Sequence, residues 1–173
     1  MNTPDNIVKM RELYKDSTTL NKLNFNVSVG NVVWNQCKAI LTNDTKKTRL
    51  IYSSDIVDSN LIVKEYTNKD KKNYIDKPGS NDVVLVINRG YGVGNYHFNY
   101  CIIDVDYPYM VENHLICVKY SAQKTKPELL ELYNKVIQSL KHEKTNEFIN
   151  LYFGNNAMNT TELNYILPIY LDE

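Results

Sequence analysis

The sequence predicts an α+β fold, with a central mixed or antiparallel β-sheet of five to six strands, an N-terminal helix and C-terminal helices. Three observations lead there. Apolar residues recur at helical spacing near the start, alternate or run together through the middle, and return to helical spacing after Ser121. The order of helix, strands and then helices argues against alternating βαβ units. The length of 173 residues suits one domain, able to bury roughly two-thirds of its unfolded surface without disulfide or metal support. Residues 1–20 form a helix and lead-in, 21–120 a β-rich region, and 121–173 a helical close.

In chain order, Asn2-Thr-Pro-Asp puts proline and an acid in a first helical turn. Ile7, Met10, Leu13 and Tyr14 then share helical spacing, which predicts a helix over 4–16. Phe25, Val27 and Val29 alternate as in a strand, Gly30 interrupts, and Val32-Val33-Trp34 resumes it. Gln36 to Leu41 fits either helix or turn, and a polar loop leads to a strand over Arg49–Ser53. Leu61–Tyr66 reads as another strand. Asn68–Ser80 reads as an exposed lysine-rich connection ending in Lys77-Pro-Gly-Ser.

A hairpin then joins 82–88 to 96–105 through Gly90, Gly92 and Gly94, and Tyr107-Pro-Tyr turns the chain into a strand over 110–120. Thr125-Lys-Pro-Glu resembles a capping box and opens a helix running to about His142, with Leu129, Leu132, Tyr133, Val136, Ile137 and Leu140 as its apolar stripe. A helix over Thr145–Phe153, a break at Gly154, an N-cap at Asn159 before Leu163–Leu167, and an extended Ile169-Tyr-Leu complete the reading.

Composition sets limits on function. Asn, Lys, Ile and Tyr are abundant, as an AT-rich genome would write them, so the fourteen tyrosines are discounted as a functional signal. Net charge is zero, but residues 38–89 hold ten Lys/Arg against seven Asp/Glu, and 104–173 hold six against ten. That asymmetry permits a local polyanion-binding face without demonstrating one. Cys37, Cys101 and Cys117 are odd in number and lack close pairing, as in reduced intracellular proteins. No apolar run approaches the roughly 20 residues needed to span a bilayer, so a soluble, cytoplasmic protein is expected.

Few residues suggest chemistry. His97, His114 and His142 are isolated, and none sits in a metal-ligand spacing. Cys101 or Cys117 paired in space with His97 or His114 is a conceivable nucleophile, but a small apolar residue in a strand is the simpler reading. Asp104 and Asp106 share a strand face without the lysine a metal nuclease would place beyond them. The glycine turn is followed by strand rather than helix, so it lacks the helix N-terminus of a nucleotide cradle. It serves equally as a hairpin tip or as backbone that approaches a ligand closely.

Several segments in succession resemble the target recognition domain of adenine-specific DNA methyltransferases in restriction-modification systems, including the related domains of type I specificity subunits. They are VGNVVWNQCKAILTND (29–44), TRLIYSSDI (48–56), KKNYI (71–75), NDVVLVINRGYGVGNYHF (81–98), MVENHLICV (110–118) and the stretch over 136–170, together covering the chain from about Leu20. The resemblance implies an α+β domain that reads double-stranded DNA for a methyltransferase, and possibly restriction, partner, whose catalytic half flips the target adenine. The glycine-rich S-adenosylmethionine loop and the Asn/Asp-Pro-Pro-Tyr/Phe motif of that half have no counterpart here. The chain is therefore expected to lack methylation activity of its own, with no cofactor.

Within that resemblance, three groups are candidates for DNA contact: Trp34, Asn35, Gln36 and Lys38; Arg49, Ser53 and Ser54; and Arg89, Tyr91, Tyr96 and His97. Lys71 and Lys72 would contact phosphates, whereas arginine and amide side chains suit base edges. Trp34 is equally suited to a core position, and Ser53-Ser54 to a simple turn. Glu112-Asn113-His114 is assigned to support. The alternative function is a protein-binding module or inhibitor on the same scaffold, for which zero net charge is no handicap.

Overall fold

The computed structural model describes residues 3–66, 69–88, 98–154 and 156–171. The fold is α+β, with an N-terminal helix, four-stranded sheets and C-terminal helices. It divides into two compact units. One comprises Met1–Val27, Gly90–Phe98 and Tyr120–Glu173, and the other Ser28–Arg89 and Asn99–Lys119, as far as these are described.

The first unit opens with α1 (Pro4–Tyr14), whose N-cap Thr3 accepts a hydrogen bond from the Asn6 N–H and whose proline occupies the first turn. Its apolar face is narrower than the spacing predicts: Leu13 is buried but Ile7 is 43% exposed. The C-terminal helices are α2 (Lys126–Leu140), α3 (Glu143–Tyr152) and α4 (Thr160–Tyr165). Thr125 and Glu128 form a reciprocal capping box on α2, as do Asn159 and Glu162 on α4. His142 caps α3, its Nδ1 accepting from the Lys144 N–H at 3.1 Å. Phe25 packs against Tyr120 and Tyr133, and Phe148 against Tyr14, Tyr152 and Phe153. Ile169 bridges to Thr18, giving the extended tail its backbone partners.

The strands are shorter and differently grouped than expected. They are β1 (Phe25–Val29), β2 (Leu41–Thr42), β3 (Thr48–Ile51), β4 (Ile56–Val57), β5 (Asn60–Leu61), β6 (Tyr74–Ile75), β7 (Val84–Asn88), β8 (Asn99–Ile103), β9 (Tyr109–Val111) and β10 (Leu115–Tyr120). One four-stranded sheet has the order β1-β10-β7-β8 and another the order β2-β6-β3-β9, while β4 and β5 pair with each other. The main sheet thus has four strands, close to the five to six predicted, and a second sheet of four accompanies it.

Four local differences have physical causes. Val32 makes one bridge to Glu112, and the chain then coils into 3₁₀ turns over Trp34–Gln36 and Lys38–Ile40 instead of continuing as a strand. The predicted strand 61–66 is ladder-paired only at β5; beyond it the Ile62 and Lys64 N–H groups donate to the backbone and side chain of Asp55. The lysine-rich connection, expected to be exposed, contains β6, because Ile75 is fully buried with Leu50 and Tyr52. The predicted strand 110–120 is broken by a turn at 112–114, so β9 runs parallel to β3 while β10 pairs antiparallel with β7.

The hairpin stems match expectation: β7 and β8 pair antiparallel from Val84↔Ile103 to Asn88↔Asn99. The glycine turn between them lies outside the described residues. Two apolar clusters fill the second unit, one around Ile51, Val86, Ile103 and Leu115, the other around Val32, Leu50, Tyr52 and Ile75. Among the described residues, no helix is long and apolar enough to cross a membrane.

Candidate nucleic-acid interface

All described candidate residues belong to the second unit, where β3 and the turn after it bring several of them together. The turn Ser53–Asp55 is built on Asp55, whose fully buried carboxylate accepts from the Tyr52 N–H at 2.9 Å, the Lys64 N–H at 3.0 Å and the Tyr66 hydroxyl at 2.9 Å. Three donors offset the cost of burying that charge. The Ser54 hydroxyl lies 2.5 Å from the same Tyr66 oxygen, and the Tyr52 hydroxyl donates to the Lys72 carbonyl at 2.6 Å. Burial raises both the Tyr52 and Tyr66 phenols well above the ordinary tyrosine range.

Lys71 sits on this pair. Its ammonium is 4.4 Å from the Tyr52 ring centre and 4.3 Å from that of Tyr66, with the rings edge to face 4.8 Å apart. Lys71 is therefore an aromatic-caged cation, a commitment the sequence reading did not foresee. Lys38 lies 5.7 Å over the Trp34 ring and 3.1 Å from the Asp70 carboxylate, tying the 34–38 turn to the residue before Lys71. Trp34 is half-buried against the cluster of Leu50, Tyr52 and Ile75, which favours its core role, while Asn35 and Gln36 are exposed. The 34–38, 53–54 and 71–72 segments thus converge around Tyr52 and Tyr66.

Arg49 is placed differently from the rest of its predicted group. It is 9% exposed, its Nη1 donates to the Tyr74 hydroxyl at 3.1 Å, its Nη2 to the Lys64 carbonyl at 3.4 Å, and the guanidinium lies 5.0 Å from the Tyr74 ring centre. That environment ties it to Tyr74 and Lys64 rather than to the Tyr52–Tyr66 pair. Arg89, Tyr91, Tyr96 and His97 lie outside the described residues.

The 112–114 turn has the geometry of a support. Glu112 is 2% exposed, accepts from the Ser53 N–H and pairs with His114 Nδ1. Burial pushes the Cys101 thiol up and that of Cys117 to about 11, which disfavours the thiolate a nucleophile needs. Asp104 and Asp106 are exposed, and among the described residues no cluster of His, Cys, Asp or Glu is arranged to hold a metal ion.

Sequence reasoning missed Asp55, Tyr52, Tyr66 and Tyr74, which hold the candidate cations. The available signal was the presence of tyrosines at 52, 66 and 74 among the basic segments, but a biased composition masked it. No protein-family model matches the chain, and comparison with curated proteins gives no match either.

Proposed function

We propose that the chain binds double-stranded DNA sequence-specifically, as the target recognition domain or specificity subunit of a restriction-modification adenine-N6 DNA methyltransferase, contributing recognition and no catalysis. The observation that carries this reading is the convergence of the 34–38, 53–54 and 71–72 segments, three stretches that resemble such domains, around one tyrosine pair. The exposed Asn35 and Gln36 amides then suit adenine edges, and Lys72 a phosphate. The catalytic methyltransferase and its S-adenosylmethionine belong to a partner.

Replacing both amides, Asn35→Ala with Gln36→Ala, tests it by fluorescence anisotropy on a preferred duplex and on scrambled duplexes. The double variant should lose discrimination by about tenfold or more, on the scale of about 1–3 kcal/mol per bidentate base contact, while keeping its nonspecific affinity. Unchanged discrimination would remove the 34–38 turn from base reading.

A second reading has its own support. Lys38 pairs with Asp70, Lys47 with Asp76 and Lys119 with Asp82, so three lysines of this unit are locally neutralised. A protein-binding or inhibitory module on the same scaffold fits that neutral surface. It predicts no duplex binding even at low salt, where phosphate contacts are strongest.

A further inference from the structure

Arg49 forms part of the wall of a cavity of about 300 Å³, together with Lys46, Lys47, Tyr74 and Tyr107. The Arg49 residue is nine-tenths buried, yet no carboxylate within ion-pair distance answers its guanidinium among the described residues; its polar partners are the neutral Tyr74 hydroxyl and the Lys64 carbonyl. Its Nε is buried with no hydrogen-bond partner among the described residues. A buried cation in that state is poorly compensated, and an anion from outside would supply what the fold does not.

The rest of the cavity points to the size and character of that anion. Lys46 is exposed and makes no ion pair among the described residues, whereas Lys47 is held by Asp76 at 2.8 Å. Acids near these residues include Asp76 on Lys47, Asp44, which accepts from the Lys46 backbone N–H at 2.9 Å, and the exposed Asp106 beside Tyr107. Val63, Pro108 and the two tyrosine rings give the remaining wall an apolar, partly aromatic face. The volume is at the lower end of the roughly 300–1,000 Å³ of small-molecule sites.

We propose that this cavity binds a nucleotide-sized phosphate monoester, its phosphate held by Arg49 and Lys46 and its flat ring laid on the tyrosine wall. Charge-assisted hydrogen bonds to phosphate and stacking on an aromatic face are the two recognition elements present. The site stands on the unpaired Arg49 and this wall, whether or not the chain reads duplex DNA.

Titration calorimetry of the full chain with the four 2′-deoxynucleoside 5′-monophosphates, the matching nucleosides and inorganic phosphate tests it. At least one monophosphate should bind at least tenfold more tightly than both its nucleoside and inorganic phosphate. Lys46→Glu, on the exposed rim, should weaken that monophosphate at least tenfold, about 1.4 kcal/mol, with the circular dichroism spectrum unchanged. Arg49→Gln should do the same if it folds. The proposal is overturned if no monophosphate gives heat up to about 10 mM, if nucleoside binds as tightly as monophosphate, or if Lys46→Glu leaves affinity unchanged. A short duplex that displaces the monophosphate would make nucleic acid the natural source, and one that does not would make it free nucleotide; both outcomes uphold the site.

Discussion

Asp55 shows how one side chain substitutes for a stretch of sheet. Its carboxylate holds the Tyr52 and Lys64 N–H groups and the Tyr66 hydroxyl, and with them the platform under Lys71. Asp55→Ala should cost about 3 kcal/mol in urea unfolding, because it removes three hydrogen bonds to a charged group and leaves buried donors unmet. A loss below about 1 kcal/mol would mean the platform stands without it. The tyrosines make a separate prediction about alkali. Folding raises the Tyr52 and Tyr66 phenols through burial and pushes Tyr170 up to about 12, again mainly by burial. A raised folded value means the stabilisation is complete below the unfolded tyrosine range, near pH 10, and is lost as pH rises toward the folded values. Unfolding free energy should therefore fall steadily above about pH 10, and absorbance at the phenolate band should show these tyrosines ionising late. A flat stability profile to pH 11 would contradict that burial.

At the scale of elements, what was legible depended on whether a segment's partners were local. The caps at Thr3, Thr125 and Asn159 are written in neighbouring residues, and all three helices start where those residues place them. The stems of the β7–β8 hairpin were equally readable. The 61–66 stretch was not, because its backbone is satisfied by Asp55 and Asn73, residues several positions away whose roles leave no periodic trace. Ile75 likewise turned a polar connection into a strand through a core that only the folded chain defines. Within the candidate site, lysine and amide positions were visible as residue types, but the partners that commit Lys71 and Arg49 were hidden among tyrosines discounted as codon bias. Gly30 is a case where the sequence marked a break without its reason. Its N–H donates to the Leu115 carbonyl at 2.9 Å, and a Cβ there would run into the carbonyl groups of Val111 and Glu112. Gly30→Ala should cost about 1–3 kcal/mol in thermal or urea unfolding, since backbone rather than a flexible side chain must yield. A neutral substitution would show that β1 and the 112–114 turn separate readily.

At the scale of the whole molecule, the absence of net charge would make the proposed DNA recognition depend on a few placed groups rather than on a general field. Three lysines of the second unit are paired with aspartates, Lys71 is caged by aromatic rings and Arg49 is buried, so these five cations are already committed within the fold. A duplex-binding domain of this kind should show a shallow salt dependence and owe its selectivity to base contacts. The most direct measurement is selection of the purified chain, alone and with a candidate methyltransferase partner, on a random-sequence duplex library, followed by affinity of the enriched duplex across salt. Recovery of one short motif, bound at least 10³-fold more tightly than scrambled duplex at physiological salt and with a slope corresponding to only a few phosphates, is the predicted result. Failure to enrich any motif under either condition, with no duplex binding at low salt, would contradict DNA recognition and leave the protein-binding reading in its place.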